Sequence, residues 1–138
     1  MNNNEIINEA RSWIGTKWIH GQALKGVGTD CVHFLIAIAK TFNWIPQNYK
    51  PPVYNQDWAL HNEESILLKE LEKFCYKIES PFQVGDVLTF IFGKCVSHAG
   101  IYIGDNKMVH AYIRRGVVES SIEHYKKYFH SAWRIKNA

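Results

Sequence analysis

The sequence predicts an α+β chain in which N-terminal helices pack on a C-terminal antiparallel sheet of about five strands. Two observations carry this. Apolar residues recur at helical spacing up to Cys75, and after Pro81 the pattern switches to a period of two. Helical segments come first and strands follow as a block, the order of an α+β fold and not of alternating βα units.

The elements follow in order. Ile6, Ile7, Ala10, Trp13 and Ile14 share one helical face, with Asn4 as the expected N-cap and Gly15 as the stop. A glycine-rich loop from Thr16 to Thr29 leads into a helix over Asp30 to Phe42 that is apolar on nearly every side, the mark of a core helix. Pro46, Pro51 and Pro52 set an extended connection. After Asn62 a further stripe, Leu67, Leu68, Leu71, Phe74 and Cys75, places Cys75 among core residues. Strands are expected at Val87 to Phe92, Ala99 to Ile103, Lys107 to Ile113, Val117 to Ser120 and Ala132 to Ile135. Turns at Gly104-Asp105-Asn106 and Arg114-Arg115-Gly116 join the middle ones.

At 138 residues the chain has room for one domain, residues 1–138, with one hydrophobic core. An apolar content of 46% with 21% charged residues is that of a globular protein. A net charge of +3 with scattered basic residues excludes a nucleic-acid stripe. The longest apolar run, Phe34 to Ala39, is too short to cross a membrane. Three cysteines, Cys31, Cys75 and Cys95, lie far apart and form no C-x-x-C pair, which speaks against a disulfide framework. The start of the sequence has neither a basic region nor an apolar stretch of the kind that directs secretion, so synthesis in the cytoplasm is expected.

Chemistry concentrates at Gly26-Val27-Gly28-Thr29-Asp30-Cys31, where the loop meets the second helix. Asp30 is suited to cap that helix. A cysteine in the first turn faces unpaired N–H groups and the positive end of the helix dipole, and both favour its reactive thiolate. A cysteine nucleophile also needs a base, and the base needs an orienting partner. In the strand holding His98, alternation puts His98, Gly100 and Tyr102 on one face. If Ile103 pairs with Lys107, His110 lies opposite Gly100 and diagonal to His98, on that same face. Gly100 leaves room for the two rings to meet. A one-residue slip in register destroys the arrangement. His98 and His110 have no third ligand at convincing spacing, so neither a metal nor another cofactor is expected. His33 points to a different side of its helix, His20 borders the cysteine loop, and His61, His124 and His130 read as surface groups.

These residues carry a resemblance. Trp13-Ile14-Gly15-Thr16-Lys17-Trp18, the run ending in Cys31, Gly85-Asp86-Val87-Leu88, Ser97-His98-Ala99-Gly100-Ile101-Tyr102-Ile103-Gly104, Met108-Val109-His110-Ala111 and Gly116-Val117-Val118-Glu119-Ser120 together resemble the NlpC/p60 family of papain-like cysteine peptidases. Within that family the chain looks like the phage cell-wall peptidase subgroup. The resemblance implies the papain-like NlpC/p60 fold, with Cys31 as nucleophile, His98 as general base and acid, and His110 as the orienter of His98. It implies hydrolysis of peptide stems of bacterial peptidoglycan through an acyl-enzyme, commonly at a bond between D-glutamate and a diamino acid. The Cys31 backbone N–H is the expected donor to the oxyanion. Trp18 stands where the family often has tyrosine, and Gly21-Gln22 replaces a more usual glycine-rich pair. Trp18, His20, Gln22 and Asp30 are accordingly the candidate substrate-binding residues.

Two other readings stay open on the sequence. The same three residues serve acyl transfer or deamidation of a protein or lipid equally well, and a non-catalytic structural domain of a phage tail is the third. Peptidoglycan or its fragments are the expected partner. A phage tail or secretion apparatus is the expected carrier to the wall or periplasm, and neither nucleic acid nor membrane is expected to bind.

Overall fold

In the computed structural model, residues 2–56 and 65–136 are described. Helix α1, Asn3–Arg11, begins at Asn2, whose side chain accepts the Glu5 N–H at 2.9 Å. Among three consecutive asparagines the cap therefore falls two residues before Asn4. Ile6 and Ala10 are buried and Trp13 follows them into the core, whereas Ile14, expected on the same face, is exposed. The helix has already ended, and turns carry the chain to Gly15.

A short hairpin of β1, Ala23–Leu24, and β2, Gly28–Thr29, leads into helix α2, Cys31–Thr41. Asp30 caps α2 by accepting the His33 N–H at 2.8 Å. The helix is apolar on most sides because it packs on the main sheet and shares core clusters with Ile6 and Ala10 on one side and Leu67 and Leu71 on the other. Phe34 and Ile38 are fully buried and pack with Trp13, Ile101, Ile103, Val109 and Ala111. Each such side chain contributes about 1.5–3 kcal/mol by leaving water.

Helix α3, Ile66–Phe74, starts at Ser65, which accepts from the Leu68 N–H and donates to the Val96 carbonyl. Asn62 and His61 lie outside the described residues. The chain then turns to strand sooner than its apolar stripe predicts. Cys75 opens β3, Cys75–Ile78, and pairs with Ile135. It is buried as expected, but on a strand. Four residues are too few for a period of two to separate from the helical stripe before them.

The remaining elements are β4, Val87–Phe92; β5, Cys95–Gly104; β6, Lys107–Tyr112; β7, Gly116–Ser121; a 3₁₀ helix, Ile122–Tyr128; and β8, Phe129–Ile135. The main sheet has six strands among the described residues, not five, in the order β3-β8-β4-β5-β6-β7, and its neighbours are antiparallel. The addition is β3. Helices α1 and α2 cover one face of this sheet. The other face, with Leu88, Phe90, Met108 and Ala132, lies against Ile122 and Tyr125 of the 3₁₀ helix.

Two anchors hold the frame around the site. Arg134 on β8 forms a fork onto Asp86, with both N···O distances 2.9 Å, and Asp86 also accepts the Gln83 N–H at 2.7 Å. At the other end, the Val117 N–H donates to the Thr16 carbonyl at 2.9 Å, which ties the loop before Trp18 to β7. Gly116 permits this approach, since a Cβ there would stand 2.4 Å from the Thr16 oxygen.

The β5–β6 hairpin closes on two residues, Asp105 and Asn106, with φ of 52° and 62°. Both lie in the left-handed region that such tight hairpins require. A register shift between Tyr102 and Gly104 takes up the residue left over, so Tyr102 pairs with Met108 and Ile101 with Val109. The turn is shorter than the three residues expected, yet past the shift the register is the one that sets His110 opposite Gly100.

Candidate active site

Cys31 is the first residue of α2 and remains partly exposed, with its thiol donating to the Ser97 carbonyl at 3.5 Å. It lines a cleft of about 390 Å³ together with His98, Trp18, Asp30, Tyr54 and Phe92. His98 on β5 and His110 on β6 meet through Nε2 and Nδ1 at 2.7 Å. The second nitrogen of His110, Nε2, lies 2.9 Å from Ser120 Oγ on β7. Three neighbouring strands thus carry a hydrogen-bonded chain, His98–His110–Ser120, of which the sequence reading had only the two histidines. Ser120 was missed because serine is common at strand ends. Its signal was position: Met108 and Ser120 pair, so Ser120 and His110 are diagonal neighbours.

The pair is deeply enclosed, with His98 and His110 5% and 0% exposed. The Phe92 ring stacks on His98 with centroids 4.8 Å apart and planes within 11°. Tyr125 of the 3₁₀ helix stands edge-on to His110 at 5.1 Å. Gly100 makes the meeting possible, because a Cβ there would lie 2.8 Å from Met108 Sδ and 3.1 Å from His110 Cβ.

The electrostatics differ from what a cysteine at a helix start leads one to expect. Burial, reinforced by the neighbouring Asp30 carboxylate, pushes the Cys31 thiol up to about 12. The N–H groups of Ala99, Val32 and Cys31 pull the other way and are outweighed. Burial, with the neighbouring His110, holds His98 well below the ordinary histidine value. Burial, with Arg115 nearby, lowers His110 to about 4. Burial in the unliganded cleft thus favours the neutral forms of both the thiol and the two imidazoles. The other two cysteines are buried, and burial raises both, Cys75 to about 11.

Asp30 does more than cap. Its Oδ1 accepts from the His33 N–H at 2.8 Å and lies 2.9 Å from His33 Nδ1. Its Oδ2 accepts from the Gly21 N–H and from the Tyr54 hydroxyl, each at 2.8 Å. Burial works to raise its pKa, but the hydrogen bonds from His33 and Gly21 hold it below the ordinary carboxylate value. His20 Nε2 donates to the Tyr54 carbonyl at 3.0 Å, and its Nδ1 lies 3.7 Å from Asp30. Trp18 bridges to Thr29 and stacks on His20 with centroids 6.4 Å apart. Trp18, His20 and Asp30 thus gather at the cleft. Gln22 does not: it stands against the β1–β2 hairpin, where its buried Oε1 has no hydrogen-bond partner among the described residues and a Cβ on Gly28 would come within 2.9 Å of it. Tyr54 takes a place that the sequence left blank. Only its position after Pro51-Pro52, which aim the chain, hinted at it. His124 and His130 are exposed.

The chain that carries these residues, helices first and then an antiparallel sheet, was compared with known proteins. The profile of the NlpC/P60 family matches residues 15–134, and the chain belongs to that family. It is similar to the murein DD-endopeptidase MepS/murein LD-carboxypeptidase of Escherichia coli K12, 40% identical over 133 residues that make up 94% of this chain and 61% of the relative. The chain thus spans about three-fifths of that relative's length. Among solved structures it is similar to the NlpC/p60 domain of the peptidoglycan hydrolase SagA, with 18% identity, a TM-score of 0.64, and 98% of this chain and 100% of that one covered. It is also similar to an NlpC/P60 family protein from Bacillus cereus ATCC 10987, with 22% identity, a TM-score of 0.71, and 98% and 40% covered. At these identities the structures establish the shared fold.

Proposed function

We propose that the chain is a cysteine peptidase that hydrolyses the peptide stems of bacterial peptidoglycan at the cell wall. The observation that carries the proposal is the cleft itself. Cys31 lines it with His98, whose Nε2 meets His110 Nδ1, while His110 Nε2 in turn meets Ser120 Oγ. The family and the 40% identical relative, named for action on murein, support the substrate class.

The proton positions follow from the role. To take the thiol proton through Nδ1, His98 must carry its own proton on Nε2 and donate it to His110 Nδ1. His110 then carries its proton on Nε2 and donates it to Ser120 Oγ. As the sulfur attacks the scissile carbonyl, the thiol proton passes to His98. The developing oxyanion is met by N–H groups at the start of α2. His98 returns the proton to the leaving amine, and an acyl group remains on Cys31. Water, deprotonated by the same His98, releases it.

A D-glutamyl–diamino acid bond is the target that the family resemblance implies. The name of the Escherichia coli relative favours a second reading, a bond between D-configured residues or a terminal L,D bond. Digestion of purified peptidoglycan by the wild type and by Cys31→Ala, with fragments weighed by mass spectrometry, tests the proposal and separates the bonds. New stem fragments from the wild type alone are expected, and their masses identify the cut. Intact peptidoglycan after wild-type treatment would favour the acyl-transfer reading if Cys31 is alkylated selectively over Cys75 and Cys95, and the non-catalytic structural reading if it is not.

A further inference from the structure

Beside the catalytic cleft lies a second groove of about 610 Å³, lined by the outer face of α2 and by the segment around Pro51 and Pro52. His20 and Tyr54 line both spaces and form the wall between them. Among the described residues that line the groove, the charges are of one sign. Lys40 from the last turn of α2 and Lys50 just before the two prolines line it, and among the described residues no aspartate or glutamate does. Neither lysine has an ion-pair partner among the described residues. Nearby acids are already engaged. Asp30 is held by His33, Gly21 and Tyr54, while Glu70 accepts from Tyr49 and pairs with Lys73 at 2.9 Å.

Lys40 also stands near the carbonyl end of α2, where a cation is stabilised by the helix dipole. That accounts for one lysine and not for Lys50. It also leaves the described lining of the groove net positive, since two full charges outweigh a half-charge. Pro51 and Pro52 fix φ in the segment that follows Lys50, so this wall of the groove is preorganised.

We propose that this groove is a subsite for a carboxylate on the substrate arm that extends past Tyr54, and that Lys40 and Lys50 receive it. The inference rests on the peptidase reading and names a feature of its substrate. Lys40 is nine residues beyond Cys31, roughly 13 Å along the helix, and its side chain leans back toward the helix start. An extended peptide covers about 3.5 Å per residue, which puts the bound carboxylate roughly two to four residues from the scissile bond. Stem peptides are short and acidic, and offer such groups.

The test uses two stem peptides of one sequence, one with free carboxylates and one with every carboxylate amidated. Binding of each to the Cys31→Ala chain is measured by calorimetry, and cleavage of each by the wild-type cysteine chain is measured in parallel. The free acid is expected to bind roughly tenfold more tightly at low salt, with the preference fading as salt rises. Lys40→Gln with Lys50→Gln should bring the ratio of the two affinities close to one, and Lys40→Glu with Lys50→Glu should invert it. A ratio in the paired glutamine variant equal to that of the unsubstituted chain overturns the subsite, as does equal binding of the two peptides to begin with. Failure of the peptidase reading looks different. It appears as absence of cleavage of either peptide, whatever the binding ratio.

Discussion

Acidification should unfold this protein through His110, and the size of the effect can be worked from the site. The buried His110 ring is neutral in the fold, with its pKa lowered from 6.5 to about 4, whereas in the unfolded chain it returns to 6.5. Between those values the unfolded state binds a proton that the folded state refuses, so stability is fully present above pH 6.5 and is lost as pH falls toward 4. At about 1.4 kcal/mol per pH unit, His110 alone withdraws about 2 kcal/mol by pH 5 and about 3 kcal/mol by pH 4. His98 is shifted the same way and adds to the loss. The assay is urea denaturation at pH 7.5, 6 and 5 for the wild type and for His110→Gln, which keeps a polar side chain but does not titrate. The wild type should lose stability steeply across this range, and the variant should lose about 2 kcal/mol less between pH 7.5 and 5. Parallel curves for the two proteins would refute the claim that His110 is held neutral.

Other outcomes follow from single contacts. Phe92→Leu removes the ring stacked on His98, whose π face favours the imidazolium formed during attack; kcat/KM should fall about threefold to tenfold, and Phe92→Tyr should restore it. A full-rate leucine variant would contradict this. Gly100→Ala places a Cβ 2.8 Å from the buried Met108 Sδ and should cost about 1–3 kcal/mol in denaturant titration, with activity falling further as His110 is displaced. With burial pushing the Cys31 thiol up to about 12, alkylation by iodoacetamide should be slow at pH 7 and climb through pH 9, with the buried Cys75 and Cys95 slower still. A rate independent of pH over that interval would indicate a resting thiolate.

Much of this site was legible in the sequence, because what was needed was local. Asp30 before Cys31 is a capping pattern, and a cap places the cysteine at the helix head whatever the rest of the chain does. The His98–His110 contact was legible through alternation and a hairpin, since strand parity survives small errors in turn length. A three-residue turn was expected; a two-residue turn with a register shift occurs, and the histidines meet all the same. What escaped reading depends on distant segments. Tyr54 reaches Asp30 across 24 residues of chain, and no periodicity announces such a contact. Ser120 required knowing that β7 lies beside β6. The upward pull of burial on the Cys31 thiol was invisible because burial is a property of the assembled cleft, while the helix dipole can be read from a motif.

The most direct measurement is a rapid acid quench of the wild-type protein turning over a stem peptide, followed by intact mass and peptide mapping. The chain should gain the mass of the acyl half of the substrate, on the peptide that contains Cys31, and Cys31→Ala should show neither adduct nor turnover. Continued hydrolysis by Cys31→Ala, or an acyl adduct mapped to Cys75 or Cys95, would contradict the account.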